Sequence, residues 1–528
     1  MLKKEKNDII VSIVIHLPEE PPYAKDKLEK MLATVMNQYE HKTEIILLNH
    51  KNDSNIENSI QAINKDKHMI VVINGKQKTH GAWLNRAIES SKGQYILYMD
   101  NRTSEIYLKN SAVSAFYLSS LRYPDSGLIY SDYELESDGK IQEIRLLKHH
   151  TGRVRDNQDL GKVLFFKKSI IRFCNGFDES LLHHTLYDIR LKIAGKSTLI
   201  HIANKCKGAL YSIRSESKKH NVFDYLQDNK SAQLEAEKIL TEHLKRINAY
   251  LEPGKYYHLR QKHISKEKYR ASVIIPVNNR PEFIGTAIES VLEQTIHDIE
   301  IIIVVNGGEE DPTIKTVKEY MPGGKKYKQE KPPVQLIVLD INNIGFCLNE
   351  GVNKARGEYY IQLDSDDRLK PFAIERILHE FDSDPSIGMV IGSYEVWQLN
   401  EQSGALERMS DIPVVTHDEW TDNNGRNNLL RINGAGAPRA IPINIIKETG
   451  YFGMNEEAYS QNYGEDYDMV LKISEKYRIG RIWEPIYEVV RHKGGTDHSI
   501  DQETITCNDE AKDYMRLKAI KRRQELNH

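Results

Sequence analysis

The chain has 528 residues, with 73 Lys and Arg against 76 Asp and Glu and a formal net charge of −3. That length exceeds one ordinary core, and roughly 100 to 200 residues per domain predicts two to four units. The near-neutral balance supplies no overall field to recruit DNA, RNA or an anionic membrane, so no nucleic-acid partner is expected.

Cys174, Cys206, Cys347 and Cys507 lie far apart, without the close pairing of a zinc site or a secreted disulfide framework. The N-terminal apolar run is short and is interrupted by His16 and Glu19, so neither a signal peptide nor a membrane span is expected. A reduced, cytoplasmic protein is expected, with peripheral contact at the inner face of a membrane left open.

In chain order, VSIVIHLP at 11–18 reads as a buried strand, and MNQYEHKTEIILLN brings a second one, TEIILLN. LNRAIESSKGQYILYMD then reads as a helix, a glycine turn and a strand ending at Asp100. YDIRLKI at Tyr187 is a further helical piece, and SAQLEAEKILTEHLKRINAYL, 231–251, reads as a connecting helix. Leu234, Ile239, Leu240 and Leu244 give that helix one apolar face, and Pro253-Gly254 breaks it.

The second half repeats the plan. ASVIIP at 271–276 is a buried strand, and Ile284, Ala287, Ile288, Val291 and Leu292 recur after it at helical spacing. EIIIVV, VQLIVLD, the helix-like NEGVNKARG and the strand EYYIQLD follow. Gln38 and Glu44 match Gln294 and Glu300 at an offset of 256, Gly93 and Asp100 match Gly357 and Asp364 at 264, and Tyr187 matches Tyr467 at 280. Ordered matches with slowly growing offsets predict a duplicated domain with loop insertions. The expected domains are 1–230, a helical linker 231–268, and 269–528 with a charged C-terminal helix. That last helix either packs on the second domain or offers a basic surface to acceptor or headgroups.

Asp364-Ser365-Asp366-Asp367 follows a buried strand, where open α/β sheets place ligands, and Asp364 and Asp366 are spaced to face one hard cation. Gly464-Glu465-Asp466 opens a helix whose apolar face carries Met469, Val470 and Ile473. Carboxylates there cap a helix N-terminus, and a carboxylate so fixed is also placed to act as general base. His492 and His498 follow in a Gly-rich segment, either as exposed loop histidines or as a third metal ligand.

From Arg270 to Ser499 these motifs, in this order, resemble glycosyltransferase family 2: SVIIPVNNRPEFIGTAIESVLEQT, DIEIIIVVNGG, NEGVNKARGEYYIQLDSDD, the GED motif and Arg491-His492. The resemblance implies two tandem GT-A domains, each a Rossmann-like, mostly parallel sheet with helices on both faces. It implies Asp364 near the donor's ribose with Ser365 beside it, Asp366 and His492 on Mn²⁺ or Mg²⁺, Asp466 as the base and Glu465 orienting the acceptor. Pro276, Val277 and Asn278 would line the nucleobase pocket. Where the family often has adjacent aspartates this chain has Val305-Asn306, which leaves guanosine or another base open beside uridine.

The implied function is an inverting glycosyltransferase moving a sugar from a nucleotide-sugar donor to a glycan acceptor. The competing expectation is a catalytically inactive glycan-binding or scaffold protein. In the first copy Ser365, Asp366 and Asp367 become Asn101, Arg102 and Thr103, Glu465-Asp466 become Thr185-Leu186, and RSES at 214–217 stands where Arg491-His492 stands. The first domain is therefore expected to be degenerate.

Overall fold

A computed structural model of the protein describes residues 9–18, 25–38, 42–50, 60, 69–137, 139–203, 207–214, 230–260, 268–400, 403–417, 425–432, 434, 436–454, 456, 463–492 and 502–528. The chain forms two compact units that divide near residue 247.

In the first unit the strands are β1 (Val11–His16), β2 (Thr43–Asn49), β3 (Met69–Asn74), β4 (Tyr95–Asp100), β5 (Glu105–Leu108), β6 (Ser126–Ser131), β7 (Tyr133–Ser137), β8 (Lys140–Ile144), β9 (Val163–Lys167), β10 (Thr198–Ile202) and β11 (Tyr211–Arg214). The main sheet runs β10-β6-β9-β4-β1-β2-β3, and β5-β11-β7-β8 form a smaller one. Strand β1 pairs in parallel with β2 and β4, whereas β9 runs antiparallel to β4 and β6. Every residue of β1 is buried, as continuous apolar strands covered on both faces require.

The second unit contains β12 (Tyr269–Val277), β13 (Ile299–Val305), β14 (Val334–Val338), β15 (Gly357–Gln362), β16 (Arg368–Leu369), β17 (Ile387–Leu399), β18 (Leu406–Arg408), β19 (Arg439–Pro442) and β20 (Arg478–Arg491). They form one sheet ordered β14-β13-β12-β15-β19-β17-β20-β16, with β18 paired to β17. Here β19 is the antiparallel insert, lying against β15 as β9 lies against β4. Helices Ile284–Leu292 and Ala373–Ser383 bury Ile284, Ala287, Ile288, Val291, Ile374, Ile377 and Phe381 in the core beside the sheet.

Side-chain hydrogen bonds repeat between the units in atomic detail. Ser12 Oγ donates to buried Glu44 at 2.6 Å and accepts from Gly93 N at 2.9 Å; Ser272 Oγ donates to Glu300 at 2.8 Å and accepts from Gly357 N at 3.0 Å. Gln38 Nε2 donates to Lys109 O and Gln38 Oε1 accepts from Val113 N, as Gln294 does with Lys370 O and Ile374 N. Asn85 grips both backbone groups of Phe177, and Asn349 both of Phe452, at 2.9 Å throughout. Tyr187 Oη reaches Val154 O as Tyr467 Oη reaches Leu429 O. Buried polar groups must be paired, so partners of this kind hold a framework together long after surface sequence has diverged.

The framework glycine has a stereochemical reason. A Cβ on Gly357 would lie 2.6 Å from the Ala271 carbonyl carbon and 2.7 Å from Ser272 N. Gly357→Ala is therefore expected to destabilise the second unit by about 1–3 kcal/mol, as overpacking does. Denaturant unfolding checks it, and a loss below about 0.5 kcal/mol, ordinary for a surface change, would refute the close-approach argument.

One helix differs from its expected role, and another takes the first of its two. Helix Lys230–Arg246, expected as a linker, belongs to the first unit, where it packs on helix Thr185–Ala194 and buries Ile239, Leu240, His243 and Leu244. Its Leu234 points to solvent, 53% exposed, because that face has no partner among the described residues. The C-terminal helix Gln502–Leu526 packs on the second unit through cations rather than an apolar stripe. Arg516 bonds Asp513 and Ile432 O, and Arg523 bonds Arg426 O, so guanidinium forks take up carbonyls left over at neighbouring helix ends. Lys512 reaches Tyr463 Oη at 2.8 Å, and Met515 lies against Gly464, directly behind the GED motif.

Candidate active site

Strand β15 ends at Gln362, and the chain turns through Asp364-Ser365-Asp366-Asp367 with Asp367 N bonded to Asp364 O. The turn is anchored from β20: Tyr487 Oη accepts from Asp364 N at 3.1 Å, and Val490 N donates to Asp367 Oδ1 at 2.8 Å. Strand β20 then delivers His492, whose Nε2 lies 3.0 Å from Asp366 Oδ2 and whose ring stacks on Phe283 with centroids 4.1 Å apart. His492 is buried, 4% exposed, rather than displayed in a loop. The sequence hid this because β20 runs unbroken to Arg491 and the Gly-rich stretch begins after His492. His498 lies outside the described residues.

Burial, together with repulsion from Asp366, raises the Asp364 carboxyl above its usual range, against the pull of Arg439. Asp367 is raised further, by burial and then by Asp364 and Asp366. Carboxylates that resist ionising together are what a cation relieves. The paired oxygen and nitrogen donors of Asp366 and His492 therefore fit a divalent ion such as Mn²⁺ or Mg²⁺. No preformed group of three such ligands stands among the described residues, so the remaining positions would fall to substrate oxygens and water.

Gly464, in the left-handed region at φ +89°, turns the chain into helix Glu465–Lys476. Asp466 Oδ1 accepts from Tyr467 N at 2.7 Å, and its Oδ2 lies 2.9 Å from Arg439 Nη1. Burial and then the Asp466 carboxylate push Glu465 up to about 8, so at neutral pH it carries a proton and can donate to a hydroxyl oxygen. Arg439 extends from the short strand β19, with Nε 3.4 Å from Gln362 Oε1 and Nη2 4.0 Å from Asp364 Oδ2. Burial works against its charge, yet Asp466 and Asp364 hold it more firmly protonated than usual.

On the other side of β15, Pro276 and Val277 are buried at the end of β12 while Asn278 is exposed. Asn306, past the end of β13, donates from Nδ2 to Asn342 Oδ1, and its buried Oδ1 has no hydrogen-bond partner among the described residues. Buried Asp311 accepts from Asn279 N and Thr313 N and fixes this loop. The sequence-predicted residues thus gather at the C-terminal ends of β12, β13 and β15, where an α/β sheet opens its crevice. Arg439, Gln362 and Asp311 were missed, and Asp367 was named in the turn without a role. A register comparison of β19 with β9 would have exposed Arg439.

In the first unit the corresponding turn is closed on itself. Arg102 grips Asp100 with both Nε and Nη2 at 2.8 Å, and although burial alone would raise that carboxyl, the guanidinium holds it well below the usual range. His16 Nε2 and His50 Nε2 lie 2.8 Å apart beside His80 and buried Trp83, which stands in register with Cys347. Burial, then neighbouring positive groups, lowers His16 to about 2 and His80 to about 3. Thr185 Oγ1 is buried without a hydrogen-bond partner among the described residues, and residues 215–217 lie outside the described set.

Two α/β units of one plan, the second with an acidic turn at the end of a central strand, have the architecture of tandem GT-A-type domains. The sequence model of glycosyl transferase family 2 matches residues 12–101 and 272–434, one stretch in each unit, and the chain belongs to that family. It is 29% identical over 225 residues to a chondroitin synthase of Escherichia coli, covering 43% of this chain and 29% of that protein. A hyaluronan synthase of Pasteurella multocida is likewise 29% identical over 225 residues, 43% of this chain and 21% of its own. The match therefore spans less than a third of either synthase. Among solved structures, S. aureus TarS in complex with UDP-GlcNAc is 18% identical, with 45% of this chain and 64% of that one covered and a TM-score of 0.34. Among the described residues no helix is long and apolar enough to cross a membrane.

Proposed function

We propose that the second unit transfers a sugar from a nucleotide-sugar donor to a glycan acceptor with inversion, and that the first unit no longer does so. The observation that carries this is the meeting, in one crevice, of Asp364, Asp366 and His492 with Asp466. The acidic turn takes the donor end, with Asp364 and Ser365 beside the ribose and Pro276, Val277, Asn278 and Asn306 around the base. When bound at Asp366 and His492, a divalent cation would neutralise charge on the departing diphosphate, worth several kcal/mol. Asp466, held at a helix start, removes the acceptor hydroxyl's proton, while protonated Glu465 donates to an acceptor oxygen and fixes its approach. One base and direct attack from the face opposite the leaving group give inversion. Relatives named for chondroitin and hyaluronan synthesis support a polysaccharide as acceptor.

In the first unit the Arg102–Asp100 pair occupies the turn and Leu186 stands where the base would be, which supports a supporting rather than catalytic role. The test is a thermal-shift screen of the full chain against common nucleotide sugars with Mn²⁺, followed by a transfer assay. A donor present at 100 times its dissociation constant stabilises its unit by about 2.7 kcal/mol. Asp366→Ala is expected to remove the metal-dependent part of that shift, measured with and without chelator. Equal shifts in chelator would overturn the metal role. Binding of donor with no transfer to any glycan would favour a scaffold.

A further inference from the structure

We infer that Arg439 is a positioning residue for the transfer reaction, aiming the Asp466 carboxylate from the acceptor side while tying it to Asp364 on the donor side. The inference rests on Asp466 being the base. Among the described residues Asp466 is held at two points: its own helix start, through Tyr467 N, and Arg439 Nη1 at 2.9 Å. The guanidinium is fixed in turn, Nη1 on Gly436 O at 2.9 Å and Nε near Gln362 Oε1. Gln362 accepts from Tyr360 Oη at 2.9 Å and donates to Asp364 Oδ1 at 3.2 Å. A rigid fork thus connects the two carboxylates, whereas a carboxylate held only by its backbone retains rotamer freedom.

The first unit supplies the internal control. Asp100 matches Asp364, so Tyr98 matches Gln362; Gln362 pairs across the sheet with Arg439, and Tyr98 pairs with Leu164. Leucine therefore fills the arginine's place in a strand of the same geometry. Burying a guanidinium carries a desolvation cost that leucine avoids, so the fold has no need of arginine there. The serine, glutamate, glutamine, asparagine and glycine of the framework persist in both units, while Arg439 is absent from the first together with Asp366 and Asp466. Arg439 thus segregates with the chemistry and not with the scaffold.

The groups facing Asp466 are Glu465 on its own helix, Arg439 from β19, Asp364 beyond β15 and Tyr360 within β15. Removing Arg439 leaves Asp466 among carboxylates and a phenol. Arg439→Gln should then lower kcat by roughly 10²-fold, the scale of a misplaced catalytic group, with donor KM changed less than about 3-fold, a split expected when an interaction matters only in the transition state. The acid limb of its pH–rate profile should move to higher pH, and Arg439→Lys should restore part of the rate. In an Asp466→Asn background, Arg439→Gln should have no further effect.

Arg439→Leu, which mirrors Leu164, guards against misfolding and should unfold as cooperatively as the parent. The inference is overturned if Arg439→Gln keeps full turnover, if only KM rises, or if its loss adds fully to that of Asp466→Asn. An active Asp466→Asn protein would instead overturn the base assignment, which keeps the two failures apart.

Discussion

Asp466→Asn is expected to lower turnover by roughly 10²–10⁴-fold, the usual contribution of a general base, while donor affinity stays within a factor of about 3. The amide is isosteric and its one oxygen can still accept from Tyr467 N, as Oδ1 does in the parent, so the helix start survives, while the ion pair of Oδ2 with Arg439 Nη1 is lost. The capacity to accept a proton is removed together with the charge that pairs with Arg439. Asp466 lies on a different element from the acidic turn, at the start of helix Glu465–Lys476, and the turn is the proposed donor site. Transfer measured by release of nucleoside diphosphate, alongside calorimetry of donor binding with Mn²⁺, separates the two effects. Turnover within tenfold of the parent would sink the base role, and a matched loss of donor binding would point to collapse of the crevice.

The second large effect is an acid lability confined to the first unit. Burial there lowers His16 to about 2 and His80, His149 and His243 to about 3, each from an ordinary value of 6.5. Positive neighbours add to burial: His80 and Arg102 around His16, Arg190 and Arg153 around His149, Arg246 and Arg190 around His243. The folded unit therefore binds fewer protons than its unfolded chain below pH 6.5. Its stability is complete above that value and is lost as pH falls toward about 3. Each such group can cost about 1.4 kcal/mol per pH unit, so four together remove about 5 kcal/mol between roughly pH 7.5 and 5.5. That is comparable with the whole stability of a modest domain, about 5–15 kcal/mol.

The second unit carries the opposite sign. Glu465 is pushed up to about 8, so the folded unit takes up a proton as pH falls through that value and gains stability relative to its unfolded chain. Asp364 and Asp367 shift in the same direction. Hydrogen exchange of the full chain at pH 7.5, 6.5 and 5.5, read by peptide, should show protection lost first in residues 9–246. The experiment is corrected for the intrinsic pH dependence of exchange. Equal loss in both units, or earlier loss in the second, would contradict it.

Much of this protein is local and was legible in the amino-acid sequence. The strands at Val11, Thr43, Ala271 and Ile299 announce themselves because both faces are buried and most positions are apolar, with Ser12, Glu44, Ser272 and Glu300 as paired polar exceptions. The duplication was readable because the paired Ser–Glu–Gly and Gln elements occupy fixed places along each copy. Asp364–Asp367 and Gly464–Asp466 stood out because an acidic turn and a helix cap are each defined by a few adjacent residues. Loss of Asp366 and Asp466 from the first copy followed from alignment alone.

What only the tertiary structure decided depends on contacts across long stretches of chain. Arg439 sits on a four-residue strand with no periodicity to detect, and its partners lie 27 residues ahead at Asp466 and 77 behind at Gln362. His492 meets Asp366 across 126 residues because β20, fourteen residues long, passes beside the acidic turn. The C-terminal helix could not be assigned its buried face, since arginines that bond carbonyls look in sequence like solvent-exposed charge. Periodicity reports which face of an element is buried, and adjacency reports turns and caps. The order of strands in a sheet is set by neither, and that order brings Arg439 to Asp466.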